Sequence, residues 1–452
     1  MKKVKNLEKI FKSRLSLIIN FKNLLNYYLV NFHGIKSFIF DKTITINKKL
    51  KLRINKINKF LILNKKKIIN LRGDAFGFSL MQIDYLFKYL KSNKINSSDL
   101  ILISPKINNT FLKKILKSKL KLNLLEFKNI YNLLISLFPK KKYFGANFII
   151  TPADCGNYDY PSDLKITFSS DECKFGDDLL EKLGVDKSDK VIVISYKSAS
   201  YFSDLLKEST NFGLHEKNQK YRISDHKKLN KTLNFLKSRN YVPIIFNFLN
   251  EEEELYFSNY PRIHSIKDKK DRDFLEFYCH YKSQFSLCGN SGDQFIPKLF
   301  GKKTLFHNGI IPHSLSSGIF LPKKFIDKIT GKQLNLTQVL SRKIFYYEKS
   351  DTNRIKKVSP IYFRDIVHFE KKGIKVLENS EDEILNATKE LIILSEKNKL
   401  NLNDEQITLQ NQIKEIYYNN FYKTDYTMPA KKISGYISPS FLQSNKEFLD
   451  NL

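Results

Sequence analysis

The chain has 452 residues, with 78 Lys and Arg against 46 Asp and Glu and a net charge of +32. Its length allows two or three domains, and 42% hydrophobic residues, with 13% aromatic, exclude global disorder. Four cysteines without CxxC spacing exclude a disulfide scaffold and argue against structural zinc, and no apolar run reaches the roughly 18 residues that span a bilayer. These features predict a reducing, cytoplasmic setting.

Leu7, Phe11, Leu15, Ile18, Phe21, Leu25 and Leu29 recur at helical spacing, which predicts one apolar stripe. Lys2, Lys3, Lys5, Lys9, Lys12 and Arg14 crowd the same segment, and Lys12, Arg14 and Lys22 interrupt any signal-peptide core. Such a helix lies on an anionic membrane surface, here the inner face of the cell membrane, or docks on the protein's own core. Both readings of residues 1–33 stand.

Residues 42–67 are lysine-rich with alternating apolar residues, which reads as a connector, alone or with a strand or two. The apolar run from Lys67 ends in the turn Arg72-Gly73-Asp74-Ala75-Phe76-Gly77, and Leu100–Ser104 reads as a strand. Phe111–Leu125 reads as a helix. Thr151–Pro161 is rich in turn residues and free of lysine, which predicts a linker. Alternation then resumes with strand Lys190–Ser195, helix Asp225–Arg239 and strand Tyr241–Phe246. Helix Asp273–Tyr281, strand Phe285–Cys288, helix Asp293–Phe300 and strand Thr304–His307 follow. Ile384, Ala387, Leu391 and Leu394 place a helix in the tail. Short strands alternating with helices predict an α/β fold with a parallel sheet covered on both faces. The pattern divides the chain into a basic N-terminal segment with connector (1–64), a first Rossmann-like domain (65–175), a second (176–375) and a helical tail (376–452).

Four constellations can carry chemistry. Strand Phe285–Cys288 runs into Gly289-Asn290-Ser291-Gly292 and a helix. Glycines there admit a ligand to the backbone, and a helix start offers N–H groups to a phosphate. Asp293 caps that helix or meets a sugar hydroxyl. Arg222, just before a helix, can grip a phosphate with two donors. Ser195-Tyr196-Lys197-Ser198 closes a strand, where open α/β sheets place ligands. The Arg72–Gly77 turn occupies the same kind of position in the first domain. An ordinary βα turn or a surface cation is the alternative at each. His264, His280 and His307 lack metal-ligand spacing, and neither a nucleophile elbow nor a Walker lysine is present.

Residues 185–330 resemble a bacterial glycosyltransferase family of the GT-B architecture, itself distantly similar to O-fucosyltransferase-like and heptosyltransferase-like enzymes. The resemblance rests on Tyr221-Arg-Ile-Ser-Asp225, on Leu233–Phe246, on Asp273-Phe-Leu-Glu276 and on Phe285–Asn308. It also includes Gly373–Asn379 and Ile437-Ser-Pro-Ser-Phe-Leu442. It implies two Rossmann-like domains facing a cleft, an acceptor-side domain first and a nucleotide-sugar-side domain second. It also implies transfer of a hexosyl or related sugar to a cell-envelope or surface polysaccharide, on a glycan or lipid-linked acceptor. Neither a metal nor a resident cofactor is implied. On this reading Arg222 and Lys197 stabilise the leaving diphosphate, and Asp74 is a candidate base. Gly289, Asn290, Ser291, Gly292, Asp293, Ser195, His307 and Asn308 hold the donor, and Arg72, Gly73 and Gly77 line the acceptor side. The family's His-x-Arg-Asp element is replaced by Ser195-Tyr196-Lys197-Ser198, and Asn240 and Asn247 stand where glycines are usual.

Two other readings stay in view. One is a catalytically impaired homologue that binds sugar nucleotides or scaffolds an assembly. The other is a basic nucleic-acid-binding protein. Against the latter, the lysine excess is spread along the chain together with Asn and Ile, which share A/T-rich codons, and no nucleic-acid motif accompanies it. No nucleic acid is expected as a partner.

Overall fold

The computed structural model describes residues 67–70, 80, 83, 100–104, 107–126, 166–198, 222–247, 249–309, 318–341, 369–370, 372–417 and 435–449. The N-terminal stripe, the linker 151–161 and the Arg72–Gly77 turn lie outside the described residues. The chain divides into two compact units. One comprises Met1–Leu71, Ser98–Lys106 and Asn123–Phe148, and the other Arg72–Ser97, Ile107–Leu122 and Ile149–Leu452.

The first unit holds three parallel strands, β1 (Lys67–Asn70), β2 (Leu100–Ser104) and β3 (Asn123–Glu126), in the order β1-β2-β3. The sequence expectation of one helix over Phe111–Leu125 is corrected here. Helix α1 (Thr110–Lys114) starts at an Asn109 cap, passes into a π turn over Ile115–Lys119 and stops. Leu120 N–H reaches back to the Ile115 carbonyl, and Lys121 takes φ +50°, which breaks the helix and frees β3 to pair with β2.

The second unit is built on six parallel strands. In chain order α1, which belongs to this unit, is followed by α2 (Ser170–Glu181), β4 (Lys190–Ser195), α3 (Asn230–Ser238), β5 (Tyr241–Ile245) and α4 (Glu251–Tyr256). Next are α5 (Lys269–Lys282), β6 (Phe285–Cys288), α6 (Ile296–Leu299), β7 (Lys303–Gly309) and β8 (Ile319–Pro322). Strands β9 (Lys324–Asp327) and β10 (Ile374–Leu377) form an antiparallel pair, with α7 (Leu336–Ser341) between them in sequence. Then come α8 (Glu381–Lys397), α9 (Asp404–Tyr417), β11 (Tyr436–Ile437) and α10 (Pro439–Ser444). The main sheet runs β11-β8-β7-β6-β4-β5. The tail is therefore not purely helical, because β11 supplies a sixth strand beside β8.

Both faces of the sheet are covered, which explains why β4 reads as the continuous apolar run Val-Ile-Val-Ile. Ile192, Ile194 and Tyr196 point into a core shared with α3 and α8. On the other face, Ser286 Oγ meets His280 Nδ1 of α5 at 2.9 Å. That face also carries an aromatic cluster of Phe111, Phe168, Phe274, Phe277 and Tyr278. Helix α8 buries Ile384, Ala387, Leu391 and Leu394, as their spacing predicts. Each leucine so buried contributes roughly 1.5–3 kcal/mol. Ser380 and Glu383 close its N-terminus as a capping box.

Strand order places a switch point in this sheet. From β4 the chain moves outward to β5, then returns to lay β6 on the other side of β4. The connections therefore diverge between the carboxyl ends of β4 and β6, where open α/β sheets form a ligand crevice.

Candidate functional site

Ser195 ends β4, and the loop that follows is held on every side. Asn247 Oδ1 accepts from Tyr196 N–H at 2.8 Å, and Asn247 Nδ2 donates to the Tyr196 carbonyl. Ser224 N–H donates to the Lys197 carbonyl at 3.0 Å. One buried carboxylate, Glu253 at the start of α4, accepts from Tyr196 Oη at 3.1 Å and from Ser198 Oγ at 2.6 Å. Lys197 sits between these anchors and is itself buried. Asn247, one of the two asparagines in place of glycine, thus has a positive role in the loop. The other, Asn240, takes φ +59° between α3 and β5, a conformation that asparagine tolerates nearly as glycine does.

The β6 loop crosses close to β4. Gly289 N–H donates to the Ser195 carbonyl at 2.7 Å. A Cβ at Gly289 would stand 3.0 Å from Tyr196 Cα and 3.5 Å from His307 Cε1, so the ends of β4, β6 and β7 pack together here. The expected helix Asp293–Phe300 is corrected. It begins as a 3-10 turn, Gly292–Phe295, and only Ile296–Leu299 is α-helical. Pro297 lacks the N–H that would bond the Asp293 carbonyl, and Ile296 N–H bonds it instead. The phosphate argument from a long helix dipole therefore lapses, and Asp293 is not the cap.

Arg222 reaches this loop from the other side. Its Nε and Nη2 donate to the Asn290 carbonyl at 3.1 and 3.0 Å. The expected helix Asp225–Arg239 starts as a 3-10 turn, His226–Leu229, with Asp225 Oδ1 accepting from Lys227 N–H.

At the end of β7, Asn308 takes φ +54° and is fully buried. Its backbone N–H donates to Asn379 Oδ1 at 2.7 Å, and Asn379 N–H returns a bond to Asn308 Oδ1 at 2.8 Å. Asn308 Nδ2 lies 3.2 Å from Ser224 Oγ and 3.3 Å from His307 Nδ1. Asn379 Nδ2 donates to the Pro322 carbonyl. The side chain of Asn308 is thus engaged in tying β7, β8 and α8 together.

Four buried polar atoms at these strand ends have no hydrogen-bond partner among the described residues. They are Ser195 Oγ, Ser291 Oγ, Asp293 Oδ1 and His307 Nε2. A buried polar group left unsatisfied costs about 1–3 kcal/mol. Such atoms also occur elsewhere, at His226, Thr232, Tyr256, His280, Thr304, Gln333 and Gln412. At the switch point they collect on adjacent strand ends. Burial pushes the Asp293 carboxyl up, and against it act the approach of the Ser195 hydroxyl, too poorly aligned to count as a full hydrogen bond, the Asp293 backbone N–H and the Lys197 and Arg222 charges. Burial, with the Lys323 cation adding to it, lowers the His307 imidazole to about 3. Lys323, just past β8, is 2% exposed, and burial brings its ammonium down to about 8 against the pull of Glu378. Among the described residues no cluster of His, Cys, Asp and Glu is arranged to hold a metal ion.

Of the residues singled out in the sequence, Ser195, Lys197, Arg222, Gly289, Asn290, Ser291, Gly292, Asp293, His307 and Asn308 come together at this edge. Arg72, Gly73, Asp74 and Gly77 lie outside the described residues. Sequence reasoning missed Glu253, Asn379 and Lys323. Asn379, directly before a Ser-x-x-Glu cap, and Lys323, ending an apolar run, were the available signals.

No protein-family model matches this sequence, and no curated protein does. Among solved structures, the E. coli ADP-heptose LPS heptosyltransferase II shares 9% identity over 53% of this chain and 84% of that one, with a TM-score of 0.29. A likeness at that score carries no argument. Among the described residues no helix is long and apolar enough to cross a membrane.

Proposed function

We propose that the chain transfers a sugar from a nucleotide-activated donor to a cell-envelope or surface glycan acceptor. The observation that supports this most is the gathering of Lys197, Arg222 and four buried polar atoms without a partner among the described residues, at the switch point of a parallel sheet. As the glycosidic bond breaks, negative charge grows on the departing diphosphate. Lys197 and the Arg222 guanidinium supply fixed positive charge, and the Gly289–Gly292 backbone supplies close approach, so the charge is stabilised with no bound metal. Ser195, Ser291 and Asp293 offer polar contacts to the donor. Asp74 is proposed as the acceptor-side base, with Arg72, Gly73 and Gly77 around it. Residues 1–33 are proposed to bring the enzyme to an anionic membrane face, where each lysine adds about 1 kcal/mol.

The test is nucleotide release by the full chain from UDP-, GDP-, ADP- and CMP-sugars, with thermal shift read in parallel. One nucleotide should both stabilise the protein and be turned over. Stabilisation without release would favour the impaired homologue, a reading that draws on Arg222 already spending two donors on Asn290. No response to any nucleotide would refute both readings.

A further inference from the structure

The hydrogen-bond chain at the end of β7 fixes the state of an imidazole. Backbone N–H groups can only donate, so the Asn379 N–H at 2.8 Å identifies Asn308 Oδ1 as oxygen. The other end of that amide is therefore NH2, and it lies 3.3 Å from His307 Nδ1. A donor facing Nδ1 requires a lone pair there. A neutral ring with a lone pair on Nδ1 carries its proton on Nε2. His307 is kept neutral by burial and by the nearby Lys323 cation. Its Nε2 is buried with no partner among the described residues, and the adjoining ring carbon Cε1 lies 3.5 Å from where a Cβ on Gly289 would stand, at the candidate site.

We infer that Asn379 fixes His307, through Asn308, as the neutral Nε2–H tautomer, so that the ring presents a standing N–H donor to a phosphoryl oxygen of the ligand. The donor role rests on the nucleotide-sugar reading above, whereas the tautomer does not. His307 then binds and does not act as a base, since its basic nitrogen is engaged by Asn308. Asn379 is a positioning residue that reaches the ligand only through two side chains. The aligned N–H is worth having because the ring does not need to reorient or exchange a proton when the ligand arrives.

The experiment uses the full chain labelled with [15N]histidine, with the His307 resonances assigned by their loss in His307→Gln. Long-range proton–nitrogen correlation distinguishes Nε2–H, Nδ1–H and imidazolium by pattern. Nε2–H is expected in the wild type at neutral pH. Nδ1–H or imidazolium there overturns the inference, whether or not any nucleotide binds. Asn308→Asp still accepts the Asn379 N–H but cannot donate to Nδ1, so the proton should move to Nδ1 or the ring become cationic. An unchanged Nε2–H pattern in that variant overturns the relay.

A binding arm uses UDP, GDP and ADP as probes. For whichever binds the wild type, His307→Ala and Asn308→Asp should each lose about tenfold in affinity, equivalent to about 1.4 kcal/mol. His307→Gln, whose amide NH2 takes the place of Nε2–H, should stay within about threefold. Equal losses in His307→Gln and His307→Ala overturn the donor role. If the wild type binds no diphosphate, the sugar-transfer reading and the donor role fall together, while the correlation spectrum still decides the tautomer.

Discussion

Asp273 and Asp293 are both buried aspartates of the second unit, yet their surroundings differ in kind. Asp273, on α5, accepts from Thr110 N–H at 2.7 Å, from Thr110 Oγ1 at 2.9 Å and from Lys269 Nζ through both oxygens. Nearby Glu276 accepts from Asn109 Nδ2 at 2.8 Å. Asp293, at the carboxyl edge of the sheet, leaves Oδ1 without a partner among the described residues, next to Ser195 and Ser291 in the same condition. The first arrangement joins α1 to α5 and is complete in itself. The second carries a desolvation cost that no described residue offsets, and such a cost is expected where a ligand supplies the missing partners.

That contrast makes different predictions for the two regions. The largest effect belongs to Glu276. Burial, then the Asp273 charge, pushes its carboxyl up to about 8. The folded state then holds a proton that the unfolded chain releases above the ordinary value near 4.5. Stability is thus fully present below that value and falls as pH rises toward about 8. A rise from 4.5 to about 8 corresponds to a loss of at most about 5 kcal/mol. Glu276→Gln should flatten this slope in melting temperature against pH without changing nucleotide affinity. A slope that persists would break the assignment.

Glu253 sharpens the comparison, since it is a satisfied group that serves the unsatisfied site. Glu253→Gln weakens the bonds from Tyr196, Ser198 and the Asn250 N–H, at a cost of about 1–3 kcal/mol in urea denaturation. It should also lower ligand affinity by loosening Lys197. A loss of stability with affinity intact would confine Glu253 to the fold.

Lys197→Ala should reverse that balance. Nucleotide affinity by calorimetry should fall tenfold or more, equivalent to about 1.4 kcal/mol or above. The melting temperature of the free protein should change less than in Glu253→Gln. The smallest effect is Ser291→Ala. Removing an unpartnered hydroxyl should leave stability within about 0.5 kcal/mol of the wild type or raise it, and weaken binding severalfold. A marked destabilisation would mean that Ser291 is satisfied in the native state and does not await a ligand.

Much of the second unit was legible because its signals are local. Strands β4 and β6 are short apolar runs buried on both faces, and α8 announces itself by Ile384, Ala387, Leu391 and Leu394 behind a Ser-x-x-Glu cap. Ser195, Lys197 and Gly289–Asp293 were found because strand ends of a parallel sheet share one edge. Phe111–Leu125 was misread because helix-forming lysines and leucines continue through Lys121, where only the backbone reversal reveals the break. The Asp293 helix is shorter than its apolar pattern suggests because Pro297 removes the N–H that a continuous α-helix from Asp293 needs. Glu253 and Asn379 were invisible for another reason. Each acts on residues far away in sequence, Glu253 on Tyr196 and Ser198, and Asn379 on Asn308, and no periodicity encodes a long-range hydrogen bond.

The most direct check of the central claim is hydrogen–deuterium exchange on the full chain, with and without each of UDP-, GDP-, ADP- and CMP-sugar. With the nucleotide that binds, peptides covering 195–198, 222–225 and 289–293 should gain protection together, while the α1 and α5 peptides around Asn109 and Glu276 stay as they were. Protection confined to other segments, or no change with any of the four, would contradict the placement of a nucleotide-sugar site at the carboxyl edge of the sheet.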